Sequence, residues 1–87
     1  MKTFNIEKLL DDENKIKRWP KKLIEKEVVI GYLANQFDFN SNYSEGDINL
    51  ILKEHHSFDD IALLRRELIG RNYLSRIDNG SKYWRIK

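Results

Sequence analysis

Hydrophobic and polar positions change period several times along the chain, and each change marks an element. Near the start, Phe4, Ile6, Leu9 and Leu10 predict a short helix over Thr3–Asp12 with Thr3 as its cap. A helix this short is marginal alone, so it must dock on something. Asp11-Asp12-Glu13-Asn14 interrupts the pattern as a loop. Lys15–Trp19 then reads as an extended arm, because the residue before Pro20 is pushed toward β or polyproline geometry. Pro20 opens the next helix, where its missing N–H costs nothing, and the pattern runs to about Gln36. Within it, Val28-Val29-Ile30-Gly31-Tyr32-Leu33-Ala34 is apolar almost all round, as expected of a central helix buried on most sides.

After the polar loop Asp38–Asn42, Tyr43 can add a short strand. Ser44 is a good N-cap, and Asp47 three residues on completes an approximate capping box, with Tyr43 and Ile48 at the staple positions. Ile48, Ile51, Leu52 and His55 share one face of this second helix. A third helix is predicted over Phe58–Arg71. At roughly 100° per residue, Phe58, Ile61, Leu64, Leu68 and Ile69 form an apolar arc that also holds Arg65. The opposite arc carries Asp59, Asp60, Leu63, Arg66, Glu67 and Gly70, and Asn72 suits a left-handed helix end.

The period then falls to two. Asn79-Gly80 is a strong hairpin signal and pairs Asp78 with Ser81, Arg76 with Tyr83 and Leu74 with Arg85. Both faces of this hairpin are mixed. Burial of Tyr73, Trp84 and Ile86 is the expectation adopted, which would expose Arg76, Tyr83 and Arg85; a one-residue slip would invert it. The elements together predict an α+β winged helix-turn-helix: three core helices and a C-terminal β-hairpin wing over residues 20–87, preceded by a short N-terminal helix and arm over residues 1–19.

Composition narrows the function. The 87 residues suit one domain with one core and no cysteine, so neither disulfides nor thiolate metal sites are available. No apolar run approaches a membrane span, and acidic residues break up the N-terminus before a signal-peptide core can form, so a cytoplasmic location is expected. A net charge of +2 is mild, so nucleic-acid binding would need clustered cations. Two clusters exist: Lys15, Lys17, Arg18, Lys21, Lys22 and Lys26 around Trp19, and Arg76, Lys82, Arg85 and Lys87 beside Tyr83 and Trp84. Each could equally be a solvated face whose aromatics belong to the core. Arg66 lies where a reading helix presents its contacts, but Asp59, Asp60 and Glu67 share that face. Leu63 at its centre is an alternative protein contact, for a partner or a second copy.

Arg65 inside an apolar arc needs a carboxylate, and Glu27, at the helical spacing of Leu23, Ile30 and Ala34, is the first choice for a structural ion pair. The alternative is a small anion pocket lined by Arg65. His55-His56 is a poor metal motif, with His55 read as a packed core histidine and His56 with Asp59 supplying only two ligands. Adjacent acidic pairs at helix starts suit the helix dipole. Neither a metal, a cofactor nor an enzymatic activity is expected.

From Trp19 onward the chain resembles a bacterial family, domain of unknown function 2087. The resemblance is carried by Pro20-Lys21-Lys22, Tyr43-Ser44-Glu45 with Ile48-Asn49 and Leu52, Leu64-Arg65-Arg66-Glu67-Leu68-Ile69, and Leu74-Ser75-Arg76 through Gly80-Ser81-Lys82-Tyr83-Trp84-Arg85. It departs in ending the third helix with Gly70-Arg71-Asn72 and in the loop His55–Phe58. The resemblance implies a small winged-helix-like module, found alone or joined to helix-turn-helix segments of transcriptional regulators, and brings no assigned activity. The resulting expectation is a non-enzymatic regulatory module that binds duplex DNA through the wing and basic arm, with Arg66, Arg76, Lys82, Arg85, Lys17 and Arg18 as contacts.

Overall fold

The computed structural model describes residues 6–87. The helices are α1 (Leu23–Ala34), α2 (Glu45–His55) and α3 (Ile61–Gly70); the strands are β1 (Asn42–Tyr43), β2 (Leu74–Arg76) and β3 (Tyr83–Arg85). A 3-10 turn, Ile6–Leu9, precedes them. The strands form an antiparallel sheet in the order β1-β3-β2, so the arrangement is α+β and winged-helix-like. One core holds Val29, Ile30, Leu33 and Ala34 of α1, Ile48 and Leu52 of α2, Leu64 and Leu68 of α3, and Leu74 and Tyr83 of the hairpin.

The N-terminal segment differs from expectation. Of the helix read over Thr3–Asp12, the described residues form a 3-10 turn at Ile6–Leu9; Thr3 and Phe4 lie outside them. Asp11 ends the turn by accepting the N–H groups of Glu13 at 2.8 Å and Lys15 at 3.0 Å. The Lys15 bond in particular holds the Asp11 carboxyl below its usual range. Lys15–Lys17 is extended but not free. Ile16 donates its N–H to His55 and accepts from Ser57, both at 2.9 Å, while Lys17 donates to Leu9. The Leu9 and Ile16 side chains are buried in the common core.

α1 starts at Leu23 rather than at Pro20, because Lys22 is still extended at φ −78°, ψ 137°. Its buried face is Val29-Ile30-Leu33-Ala34, which leaves Leu23 67% and Ile24 61% exposed and turns Glu27 to solvent. α2 begins as expected, with both bonds of the Ser44–Asp47 capping box formed at 3.0 Å.

The connection from α2 to α3 is tied by His56 rather than His55. His56 is buried; its Nδ1 lies 2.6 Å from the Leu52 carbonyl and its Nε2 accepts the Asp60 N–H at 3.0 Å. With Nε2 accepting from Asp60, Nδ1 faces the Leu52 carbonyl, and the ring serves one orphan group at each of two helix ends. His55 is half-buried. Asp59 adopts φ 56° and Asp60 caps Leu63, so α3 starts at Ile61 and Phe58 packs against His56 ahead of the helix. The helix ends as Asn72 foretells. Asn72 has φ 65°, its N–H reaches Ile69, and the Tyr73 N–H reaches Leu68, a full Schellman closure.

The hairpin register agrees with the sequence reading: Leu74 opposes Arg85 and Arg76 opposes Tyr83. β1 pairs Tyr43 with Tyr83, the expected extra strand. The burial of the faces departs from expectation at Tyr83 and Ile86, while Arg76 is exposed as expected. Tyr83 is 1% exposed and Leu74 is buried, whereas Ile86 is 49% exposed and Trp84 only half-buried. The inner face tolerates polar tips because they find partners. Arg85 donates to the Phe37 carbonyl and to Asn35 Oδ1 at the end of α1, both at 3.1 Å. Apolar stems are thereby buried without stranding charge. Among the described residues no helix is long and apolar enough to cross a membrane.

Candidate functional site

α3 and the hairpin enclose a cleft of about 420 Å³, with Arg65, Arg66, Ala62, Ile69 and Gly70 on the helix side, Arg76 and Tyr83 on the hairpin side, and Glu45 at the start of α2. The cleft exists because residues far apart in sequence are brought together twice. The α2–α3 packing sets Glu45 beside Arg65, and the Schellman turn folds β2 back along α3.

Arg65 does not pair with Glu27. Its Nη1 donates to Asn49 Oδ1 at 2.6 Å and its Nε stands 3.9 Å from Glu45 Oε1. Glu27, rotated off the buried face of α1, instead meets Arg71, which also bonds Glu67 at 2.8 Å. Arg71 thus bridges α3 to α1, and the partner of Arg65 comes from α2. The anion-pocket alternative has a physical counterpart, since the cleft walls include Arg65.

Arg66 and Arg76 are exposed and line the same cleft from different elements. Neither guanidinium makes a hydrogen bond or an ion pair among the described residues. Tyr83 anchors the floor. Its ring is buried, while its hydroxyl donates to Glu45 Oε1 at 3.2 Å. Burial pushes the Tyr83 phenol up, and the Glu45 bond and charge push it further. Gly80 closes the hairpin end at φ +72°; a Cβ there would lie 3.7 Å from both Arg76 Nη1 and the Tyr83 hydroxyl, and 3.9 Å from Glu45 Oε1.

Other expected contacts are placed differently. Arg85, read as exposed, is committed to Phe37, Asn35 and the Lys87 carbonyl and stacks 4.1 Å from the Phe39 ring centre. Lys82 is exposed on the wing outside the cleft. Lys17 and Arg18 are exposed at the far end of the chain, Arg18 lining a second cleft of about 440 Å³ with Trp19, Lys21, Lys22 and Glu25. Leu63 is half-buried, with Asp59, Asp60, Arg66 and Gly70 of the same arc exposed around it. The acidic side chains on α3 are also less disruptive than they look. Glu67 is paired to Arg71, and Asp60 takes the Leu63 N–H.

Sequence reasoning missed Tyr83 and Glu45 as cleft residues. The signal for Tyr83 lay in the register itself, which puts it opposite Arg76. No group of three or more potential metal ligands occurs among the described residues.

No curated protein and no solved structure matches the chain. A family model does, over residues 15–85, from the segment that pins Ile16 to the last residue of β3. The chain belongs to this family, described as an uncharacterized protein conserved in bacteria, domain of unknown function 2087.

Proposed function

We propose that the domain is a non-enzymatic, cytoplasmic regulatory module that binds duplex DNA, with a backbone phosphate seated between Arg66 and Arg76. The observation that carries this reading is the pair of guanidiniums, one from α3 and one from β2, that line one cleft and have no partner among the described residues. Guanidinium is suited to phosphate because its planar fork offers parallel N–H donors to two oxygens. Lys82 on the wing and Lys17 and Arg18 on the N-terminal segment extend the positive surface, each adding a phosphate contact without reading bases. Regulation is the role that the association of the family resemblance with transcriptional regulators supports.

Fluorescence anisotropy of a labelled random duplex, titrated at low and near-physiological salt, tests the proposal. Binding should weaken steeply with salt, and R66A with R76A, which together hold one phosphate, should reduce the salt slope by about one. No binding at low salt, or a slope indifferent to both arginines, would remove this reading.

A further inference from the structure

The charge balance of the cleft points beyond a generic phosphate. Arg65, Arg66 and Arg76 face a single carboxylate, Glu45, which leaves two positive charges at the walls. A backbone phosphodiester carries one negative charge and two free oxygens. A terminal phosphate carries nearly two and offers three acceptor oxygens. We propose that the cleft is a receptor for a terminal phosphate, a phosphomonoester dianion, in preference to a bridging phosphodiester. The inference rests on the cleft being a phosphate site, as above, and narrows what that phosphate is.

The geometry assigns the parts. Arg66 and Arg76 approach from α3 and from β2, so their free forks can grip different oxygens of one phosphate. Arg65 is held by Asn49 and Glu45 and supplies a fixed positive charge behind them. Glu45 also holds the Tyr83 hydroxyl, which ties the floor of the cleft to the hairpin. Ala62 and Gly70 keep the α3 wall low enough for the group attached to the phosphate to leave the cleft, and Ile69 gives it an apolar surface. Two sources present this chemistry: a phosphorylated small molecule, and the 5′-phosphorylated end of a nucleic acid.

Methyl phosphate and dimethyl phosphate are the probes, titrated into the whole chain and followed by NMR shifts of the Arg66 and Arg76 side chains. Methyl phosphate should bind roughly tenfold or more tighter, a difference of one charge-assisted contact. R66A and R76A should each abolish the preference, R76K should restore it only in part because the fork is lost, and K53A, an exposed α2 cation, should leave it intact. Both arginines are exposed, so their truncation spares the core; circular dichroism confirms the fold. Equal binding of the two probes, or none by either, overturns the inference.

Duplexes with 5′-phosphoryl and 5′-hydroxyl ends then separate the sources. Tighter binding of the phosphorylated end supports the inference with nucleic acid as the source. Methyl phosphate binding with no preference between duplex ends supports it with a small phosphorylated ligand. Duplex binding without discrimination between the two small probes sinks it while sparing the DNA reading, and methyl phosphate binding without any duplex binding does the reverse.

Discussion

Two parts of the molecule are basic, and they are basic in different ways. Lys17, Arg18, Lys21 and Lys22 are neighbours in sequence, and all four are exposed. Arg65, Arg66 and Arg76 span α3 and β2, yet they line one cleft with a buried tyrosine as its floor. The first is a dense run of charge that fans into solvent, with Leu23 and Ile24 exposed beside it. The second is a sparser set that two elements bring to one cleft, with Arg65 alone among the three held by Asn49 and Glu45. A cluster in sequence and a cluster in space are different objects, and convergence on one cleft is what converts charge into selectivity. The sequence run offers diffuse attraction that salt screens.

The largest expected effect breaks the cleft itself. R66A with R76A should weaken duplex binding roughly a hundredfold at low salt, since two charge-assisted contacts are lost; anisotropy reads it. Next comes the turn that shapes the cleft. Gly80→Ala forces a side chain into φ +72°, although its Cβ would meet Arg76 Nη1 only at an ordinary 3.7 Å. The cost is therefore backbone strain of about 1–2 kcal/mol, measured by urea denaturation.

Tyr83→Phe should cost about 1 kcal/mol, discounted because Glu45 is half in water, and it should also change the alkaline limb of stability. The folded phenol titrates above its ordinary value of 10.0, so its contribution is complete below pH 10 and is lost as pH rises through the folded value. The phenylalanine variant should lack that loss when thermal melts are compared across alkaline pH. The smallest effect should come from the other basic region. K17A with R18A should lower duplex affinity roughly two- to fivefold, equally for every sequence. If this pair matters more than Arg66 and Arg76, the contrast between the regions is reversed.

Much of the fold was legible where a local rule has few competitors. Ser44–Asp47 announced α2, Asn72 ended α3, and Asn79-Gly80 set the hairpin register. The inside of the hairpin was not legible, because the choice depends on tertiary partners. Arg85 is welcome inside only because Asn35 and the Phe37 carbonyl stand at the end of α1. The start of α3 was misplaced for a related reason. Asp59 takes a left-handed conformation that few residues favour, and Asp60 therefore becomes the cap. Arg65 was correctly read as needing a partner, but partner choice turns on which face of α1 is buried. With Val29, Ile30, Leu33 and Ala34 inward, Glu27 points elsewhere and Arg71 collects it. Of the cleft, Arg66 and Arg76 could be named from sequence, whereas Glu45 and Tyr83 required the third dimension.

The double tether at Ile16 has a practical consequence for dissection. A fragment beginning at Pro20 would keep every helix and strand of the winged-helix-like body, yet it would lose the buried side chains of Leu9 and Ile16 and the backbone bonds to His55 and Ser57. Burial of an aliphatic side chain contributes roughly 1.5–3 kcal/mol, so two such losses consume a large part of what a small domain has to spare. The stretch acts as a clasp, and a fragment without it should unfold at lower urea than the whole chain. A protease that cuts between Leu9 and Ile16 should loosen the whole body and not merely trim it.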